Sequence, residues 1–390
     1  MKRRYRLLVS LSVVAGAVTA ILLLNSLSAN ARGPLSGMLE RVGAGVGALE
    51  QSVRRRFSGP GRAGELAWFD RYRQDRELLQ RPDSILLGAY ESGLPTTLDG
   101  VGTLERKVGL PLPLIQIYTA WGDKPEQRFP LRVVTAIWDY GSLPVITWEP
   151  WLTDFENTLH PELPLRDARD QQGMAAIASG QYDFYIDTWA ADAATFGKPL
   201  MVRLGHEMND PYRYPWGPQN NTKEDFIAMW RHVVARFRDA RATNVLWVWS
   251  PHVAYGYWEL YYPGDEWVDW TATGVLNYGP IAQWSEWWSF DQIVGTKYAA
   301  LAAFGKPLLL AEFGSLAVGG DRAAWFRDAL ESLPSRYPMV KGLLFFEVAR
   351  DQTVTYQPID WTVGRDSSVV QAIREAAQRW APGVPMRPPP

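Results

Sequence analysis

Lys198-Pro-Leu-Met-Val-Arg-Leu-Gly-His-Glu-Met-Asn209 and Lys306-Pro-Leu-Leu-Leu-Ala-Glu-Phe-Gly-Ser315 follow one plan. A Lys-Pro pair stops the preceding segment, because the residue before proline is pushed out of the helical region. A short apolar run follows, and the run ends in residues that carry chemistry. Such runs alternate little between apolar and polar, as strands buried on both faces of a parallel sheet do. Working outward, the same kind of run recurs at Ile85–Tyr90, Leu114–Tyr118, Pro144–Trp148, Leu200–Leu204, Val245–Trp249, Trp270–Leu276, Leu308–Ala311 and Gly342–Phe346. Helical spacing fills the gaps at Leu131–Tyr140, Tyr182–Phe196, Lys223–Arg241, Ser285–Phe304, Asp321–Ser332 and Ser367–Gln378. Asn221-Thr-Lys-Glu224 offers a capping box, and Asp321 an N-cap. Eight strands alternating with helices predict an α/β fold, a (β/α)8 TIM barrel. An open doubly wound sheet is the alternative, but no Gly-x-Gly-x-x-Gly turn follows the first strand.

In such a barrel the chemistry lies at the C-terminal ends of the strands. Those ends read Tyr90-Glu-Ser92, Tyr118-Thr-Ala-Trp-Gly-Asp123, Trp148-Glu-Pro-Trp151, Gly205-His-Glu-Met-Asn209, Trp249-Ser-Pro-His252, Asn277-Tyr278, Glu312-Phe-Gly-Ser315 and Phe346-Glu347. Glutamates and aromatic rings dominate. Paired carboxyl groups beside aromatic platforms are what cleavage of a glycosidic bond requires, since one acid must protonate the leaving oxygen while a second carboxylate attacks or stabilises the sugar carbon. Composition agrees: the chain has 19 Trp, 17 Tyr and 14 Phe in 390 residues. It has no cysteine, which excludes disulfides and thiol catalysis, and a net charge of −2, which gives no electrostatic case for nucleic acid. Four histidines and no His-x-His or His-Glu-x-x-His spacing leave no metal motif, so no cofactor is expected.

Val202-Arg-Leu-Gly-His-Glu-Met-Asn209 followed by Tyr214-Pro-Trp-Gly217 resembles the acid/base motif of glycoside hydrolase family 26, the β-mannanase family of clan A. Leu309-Leu-Ala-Glu-Phe-Gly-Ser315 is similar to its nucleophile motif, and Asn244-Val-Leu-Trp-Val-Trp-Ser-Pro251 to its fifth strand. The resemblance spans roughly Ile85 to Trp380. It implies a retaining double displacement with Glu207 as acid/base and Glu312 as nucleophile, their carboxyl groups ~5–5.5 Å apart. It further implies that His206 borders the sugar at the cleavage point, that Asn209 belongs to the motif, that Trp216 is an aromatic platform and that Tyr278 hydrogen-bonds the nucleophile. From the residues themselves, Arg203 inside an apolar strand must pair with a carboxylate, and Glu312 is the expected partner. Trp121, Trp148, His252, Trp284, Glu149 and Glu347 complete the expected substrate-binding set.

The sequence departs from the family pattern in three places. Leu204-Gly205 stands where Pro-Phe is typical, Trp148-Glu149 where Trp-His is typical, and Phe346-Glu347 where a Trp is typical. These changes alter the walls of the sugar site, so β-mannan, β-glucan and a bacterial exopolysaccharide all remain open as substrates. The expected function is a retaining endo-β-glycanase. A non-catalytic polysaccharide-binding barrel in envelope or exopolysaccharide assembly is the competing reading, and an inverting hydrolase a third.

Met1-Lys-Arg-Arg-Tyr-Arg6 precedes an apolar run, Leu7 to Leu24, and Ala29-Asn-Ala31 fits a small-residue cleavage site. Residues 1–31 are therefore expected to be a signal peptide or a membrane anchor, exporting the rest. Residues 32–81 read as a linker with a helical stretch from Leu66 to Leu79, residues 82–382 as the barrel, and the Pro-rich 383–390 as a disordered tail. The expected partner is a polysaccharide, with membrane attachment through the N-terminal segment if it stays uncleaved. Nothing in the pattern sets an oligomeric state.

Overall fold

The computed structural model describes residues 60–353 and 358–380. The expected export segment, most of the expected linker and the Pro-rich tail lie outside the described residues. The chain divides into two compact units, Met1–Gly61 and Arg62–Pro390, and the second holds the barrel. Among the described residues, no helix is long and apolar enough to cross a membrane.

Eight parallel strands close into one barrel in sequence order. They are β1 (Leu86–Glu91), β2 (Leu114–Ala120), β3 (Leu143–Glu149), β4 (Leu200–Leu204), β5 (Val245–Trp249), β6 (Trp270–Asn277), β7 (Leu308–Ser315) and β8 (Val340–Glu347). β8 pairs with β1 from Leu86↔Gly342 to Glu91↔Glu347, which removes both sheet edges.

Period two along each strand splits the apolar residues into two cores. Leu86, Leu114, Val145, Met201, Leu246, Val248, Trp270, Leu309 and Leu344 point into the barrel and form one cluster. Their neighbours Leu87, Ile115, Ile146, Val202, Trp247, Leu310 and Leu343 point outward and pack under the helices in a second cluster. Leu66, Phe69, Tyr72 and Leu79, ahead of β1, join the inner cluster and close the N-terminal end. The indole of Trp270 donates to the Leu79 carbonyl (2.9 Å), and Arg76 pairs with Asp269 (2.8 Å). The segment expected to be helical from Leu66 to Leu79 is thus a floor, built from short turns of helix at Asp70–Arg73 and Arg76–Gln80.

Helices cover the outside at Asp99–Val108, Leu131–Asp139, Gly173–Ala178, Asp183–Phe196, Lys223–Asp239, Thr296–Ala302, Arg322–Arg336 and Ser367–Trp380. The return from β5 to β6 holds only 3-10 turns, at Trp258–Tyr261 and Asp265–Trp267, so not every crossover is an α-helix. The long helix expected at Ser285–Phe304 starts late, with a π-helical turn at Asp291–Gly295. The reason lies upstream: the Asn277 side chain accepts from the Trp288 amide (3.1 Å) and holds that stretch as a loop at the barrel mouth. The expected capping box is real but one residue later, between Thr222 and Asp225. Asp321 caps its helix by accepting from the Ala324 amide (2.9 Å).

Candidate active site at the barrel mouth

The inward parity that fills the floor with leucine delivers different residues higher up. On β2 it runs Leu114, Gln116, Tyr118; on β3, Val145, Thr147, Glu149; on β4, Met201, Arg203. Gln116 donates to Thr147 (3.2 Å), and Arg203 Nε donates to the same hydroxyl (3.1 Å). Arg203, buried on all sides, then reaches Glu312 at 2.6 Å, and the Tyr118 hydroxyl donates to the same carboxylate oxygen at 2.8 Å. The expected Arg203–Glu312 pair is therefore present.

Glu312 should not face inward by parity, since Leu309 and Ala311 already do. A β-bulge resolves this. Thr273 of β6 pairs with Leu310 but Gly274 pairs with Glu312, leaving Ala311 as the extra residue. An extra residue inverts the facing of its successors on the strand, so the carboxylate enters the mouth. Opposite it, Gly274 keeps the space clear. A Cβ there would lie 3.7 Å from Oε1 of Glu207 and 4.0 Å from Cβ of Glu312, so both glutamates border one small space.

Glu207 sits just past β4, where Gly205 (φ 48°) and then Glu207 itself (φ 54°) adopt left-handed backbone. Such a conformation in a glutamate is strained and persists only where its surroundings enforce it. Here the Glu207 amide donates to the Ser250 carbonyl (2.7 Å) beyond β5. The Asn209 side chain donates to the His252 carbonyl and accepts from the His252 amide, both at 2.9 Å. Asp210 accepts from the amides of Tyr212 (2.8 Å) and Arg213 (3.3 Å). Arg213 in turn reaches the Glu207 carboxyl at 3.3 Å.

The two carboxyl groups are shifted in opposite directions. Burial pushes Glu207 above its ordinary range, and the nearby Glu312 charge adds to this, against the opposing pulls of His252, Arg213 and Arg203. Burial acts on Glu312 in the same direction, but the Arg203 charge, its hydrogen bond and the Tyr118 hydroxyl outweigh it, and Glu312 lies below its ordinary value. The shifts run toward an acid at Glu207 and a carboxylate at Glu312, the direction of division that paired-carboxyl chemistry needs.

Around them, His206 is fully buried, its Nε2 3.1 Å from the Tyr214 hydroxyl and its Nδ1 3.9 Å from Glu149. Burial, with Arg203, Arg213 and His252 near, drives its pKa well below the usual value and keeps the ring neutral. Glu149 accepts from the Trp151 indole (3.1 Å), and burial raises its pKa. His252 lies at the end of β5, against the Tyr255 ring. Trp284 stands 55 % exposed on the rim with its edge toward Tyr278. Among the described residues, Glu207, Asp210 and His252 each bring one ligand-type atom within 4.8 Å of the others. In that group Glu207 is already paired with Arg213, and Asp210 with the amides of its turn.

Other expected residues are elsewhere. Trp148 has outward parity and stacks on Trp189 (4.3 Å between rings), and Trp121 packs behind it against Tyr185; both are core. Trp216 is wholly buried, stacked on Tyr214 with its indole donating to the His206 carbonyl (2.7 Å). It braces the motif instead of offering a platform. Asn209 likewise ties two loops together. Glu347 also has outward parity, and its carboxylate accepts from the amides of Val363 (2.7 Å) and Gly364 (3.2 Å). Tyr278 does not bond the nucleophile candidate; that hydroxyl belongs to Tyr118, while Tyr278 packs on Trp284 and Trp361. Tyr118 and Arg213 are not evident from the sequence. Parity with Leu114 and Gln116 is the available signal for Tyr118. Arg213, on an irregular loop, has none.

Comparisons with known proteins converge on this region. The profile of Glycosyl hydrolase family 26 matches residues 182–326, which contain both glutamates. Endoglucanase H of Acetivibrio thermocellus is 31% identical over 307 residues, covering 74% of this chain and 31% of that protein. A mannan endo-1,4-beta-mannosidase of Caldalkalibacillus mannanilyticus is 26% identical over 152 residues, 36% of this chain and 26% of that protein. The chain thus spans about a third or less of the length of these curated relatives. Among solved structures, GH26C of Muricauda sp. superposes with a TM-score of 0.57 at 18% identity, covering 80% of this chain and 91% of that one. At that identity the superposition speaks for the fold.

Proposed function

This barrel belongs to glycosyl hydrolase family 26, and we propose that it is a retaining endo-β-glycanase with Glu312 as nucleophile and Glu207 as acid/base. The observation that carries the proposal is the split pair: two glutamates bordering one space, one shifted toward the protonated form and the other toward the ionised form.

In the first step a Glu312 oxygen attacks the anomeric carbon while Glu207 gives its proton to the departing glycosidic oxygen. Arg203 and Tyr118 hold the attacking carboxylate in one orientation. In the second step Glu207, now a carboxylate, takes a proton from water, the water attacks the same carbon, and Glu312 is released. Neutral His206 and Glu149 line the space and offer hydrogen bonds to sugar hydroxyls. Trp284 on the rim offers an apolar face to a neighbouring sugar.

The substrate is proposed as a β-linked polysaccharide: β-mannan, a β-glucan or an exopolysaccharide. The relatives' names, an endoglucanase and a mannan endo-1,4-beta-mannosidase, support that class and divide on the sugar. Glu149, in place of the typical histidine, supports a preference that differs from that of mannan enzymes. The basic start and apolar run at residues 7–24 support export, which fractionation of cells with an antibody to the barrel would test.

Digestion of mannan, mixed-linkage β-glucan and the host's own exopolysaccharide, followed by proton NMR of the first products, tests the proposal. Internal cleavage with the β-anomer appearing first is expected. A first product of α configuration would replace the mechanism with an inverting one, and binding without new reducing ends would replace it with a binding barrel.

A further inference from the structure

Glu312 and Glu207 each have their own arginine. Arg203 is fixed on Glu312 at 2.6 Å. Arg213 approaches Glu207 at 3.3 Å, and its side chain remains 29% exposed. Its guanidinium makes no other ion pair among the described residues. Its backbone is set by the Asp210 turn, and its cationic carbon lies 5.2 Å from the Tyr214 ring centre, so its direction is constrained.

The proposed reaction moves charge between these two pairs. As the bond between sugar carbon and leaving oxygen breaks, a Glu312 oxygen forms an ester and loses its negative charge. The Glu207 proton passes to the leaving oxygen, and Glu207 gains a negative charge. A guanidinium interacts weakly with a neutral carboxyl and strongly with a carboxylate, so the contact with Arg213 strengthens as the proton leaves. An interaction stronger in the transition state than in the ground state accelerates the step.

We propose that Arg213 is a positioning residue that sets the acid strength of Glu207, receiving at the leaving-group side the negative charge that Arg203 gives up at the nucleophile side. This rests on the acid/base reading of Glu207. The other groups facing Glu207 are Asp210 and Tyr214 on its own loop, Arg203 on β4, His252 and Tyr255 beyond β5, Tyr278 after β6 and Glu312 on β7. His252 carries charge only when protonated, whereas an arginine stays charged across the working range. Arg213 is therefore the constant partner.

Two measurements test the inference. The first needs no turnover: titration of the Glu207 carboxyl by carbon-13 NMR in the full chain, wild type against Arg213→Met. The variant is expected to titrate at higher pH, because a stabiliser of the carboxylate is gone. An unchanged titration overturns the proposal. The second uses leaving groups, with 2,4-dinitrophenyl and 4-methylphenyl β-cellobiosides and β-mannobiosides. Dinitrophenolate departs without a proton and should lose less than about threefold in Arg213→Met, while methylphenol needs the acid and should lose about tenfold or more. Its basic limb should also move to higher pH. Equal losses on both leaving groups would mark Arg213 as a structural brace and end the proposal. Arg213→Lys keeps the charge and should hold the basic limb near its wild-type position; it also serves if the methionine variant folds poorly. If wild type cleaves neither series, the glycanase reading fails, and the NMR titration still decides the role of Arg213.

Discussion

The two ends of this barrel are made from the same strands by the same alternation, yet they differ in almost every physical respect. At the N-terminal end the inward positions are Leu86, Leu114, Leu143, Met201 and Leu309, sealed by Phe69 and Leu79. At the C-terminal end the same faces present Tyr90, Tyr118, Glu149 and Arg203, with Glu312 brought in by a bulge. The inward positions of the floor are apolar, and the buried Asp269 beside them is paired with Arg76. The mouth departs from that pattern: it buries charges, strains Glu207 into left-handed backbone and leaves His206 Nδ1 without a hydrogen-bond partner among the described residues. Such departures gather at functional sites, where the surrounding fold holds them in place. Substitutions at the two ends should therefore fail in different ways, the floor in stability and the mouth in turnover.

The largest effect belongs to the mouth. Glu312→Gln and Glu207→Gln should each lower kcat on a natural glycan by roughly a thousandfold or more, at the strong end of what positioned acid–base groups supply. The melting temperature of Glu207→Gln should stay near wild type, since its partner Arg213 keeps contact with solvent; Glu312→Gln leaves the buried Arg203 without its carboxylate and should cost about 3–5 kcal/mol, so its kcat is read on the folded fraction. If either variant kept full turnover, the contrast between the ends would lose its meaning. Phe69→Ala is the counterpart at the floor. It empties a fully buried aromatic site and should cost about 3–5 kcal/mol in a denaturant titration. The folded fraction should retain wild-type kcat, since no mouth residue belongs to the floor cluster; a proportionate loss of kcat would show the two ends to be coupled.

How much of this contrast the sequence discloses depends on burial. All eight strands are legible, because each run is mostly apolar and lacks a regular apolar–polar alternation. That same continuity hides parity: in Leu143-Pro-Val-Ile-Thr-Trp-Glu149, nothing tells that Glu149 faces the mouth while Trp148 faces a helix. The register does, through the pairing of Thr147 with Arg203 and Trp148 with Leu204. Trp216, expected as a platform, and Trp121 and Trp148, expected in the substrate-binding set, are all buried in the core, because a large ring packs a helix layer as readily as it stacks on a sugar. Glu347 has outward parity too, so its carboxylate serves backbone amides. The bulge at Ala311, which turns Glu312 inward, is invisible in composition, although the resemblance to a known motif points at the right residue. Arg213 cannot be read from spacing, because its loop follows no period.

A smaller effect separates the charge of the mouth from its geometry. Arg203→Lys keeps a cation but loses the planar fork that joins Thr147 to Glu312. Losing a charge-assisted hydrogen bond costs about 1.5–3 kcal/mol, so kcat/KM should fall about ten- to a hundredfold. The pH profile carries the sign. In the proposed reaction Glu312 acts ionised, and it lies below the ordinary carboxylate value, so activity should be present above its pKa and lost as pH falls through it. Glu207 in that reaction acts protonated, and it lies above that value, so activity should be present below its pKa and lost as pH rises through it. Wild type should give a bell between the two. In Arg203→Lys the acidic limb should move to higher pH and narrow the bell, and an unmoved limb would mean that Arg203 does not keep Glu312 ionised.

The smallest effect draws the outer boundary of the mouth. Trp284 and Trp216 are both indoles close to the site, and only exposure divides them: 55% against 0%. Trp284 meets Tyr278 in a T-shaped pair and is otherwise half exposed, so Trp284→Ala removes little packing. It should leave the melting temperature within a degree or two, as surface substitutions do, at a cost under about 0.5 kcal/mol. If the ring carries a sugar, the change should raise KM for a long glycan by several-fold, about 1 kcal/mol, with kcat nearly unchanged. Short aryl glycosides that cannot reach the rim should show no change in KM. Trp216→Ala should do the reverse, losing about 3–5 kcal/mol of stability through the cavity it opens beneath His206. Should the two variants behave alike, exposure would not mark where the binding surface begins, and the rim would have to be redrawn from the residues whose loss raises KM.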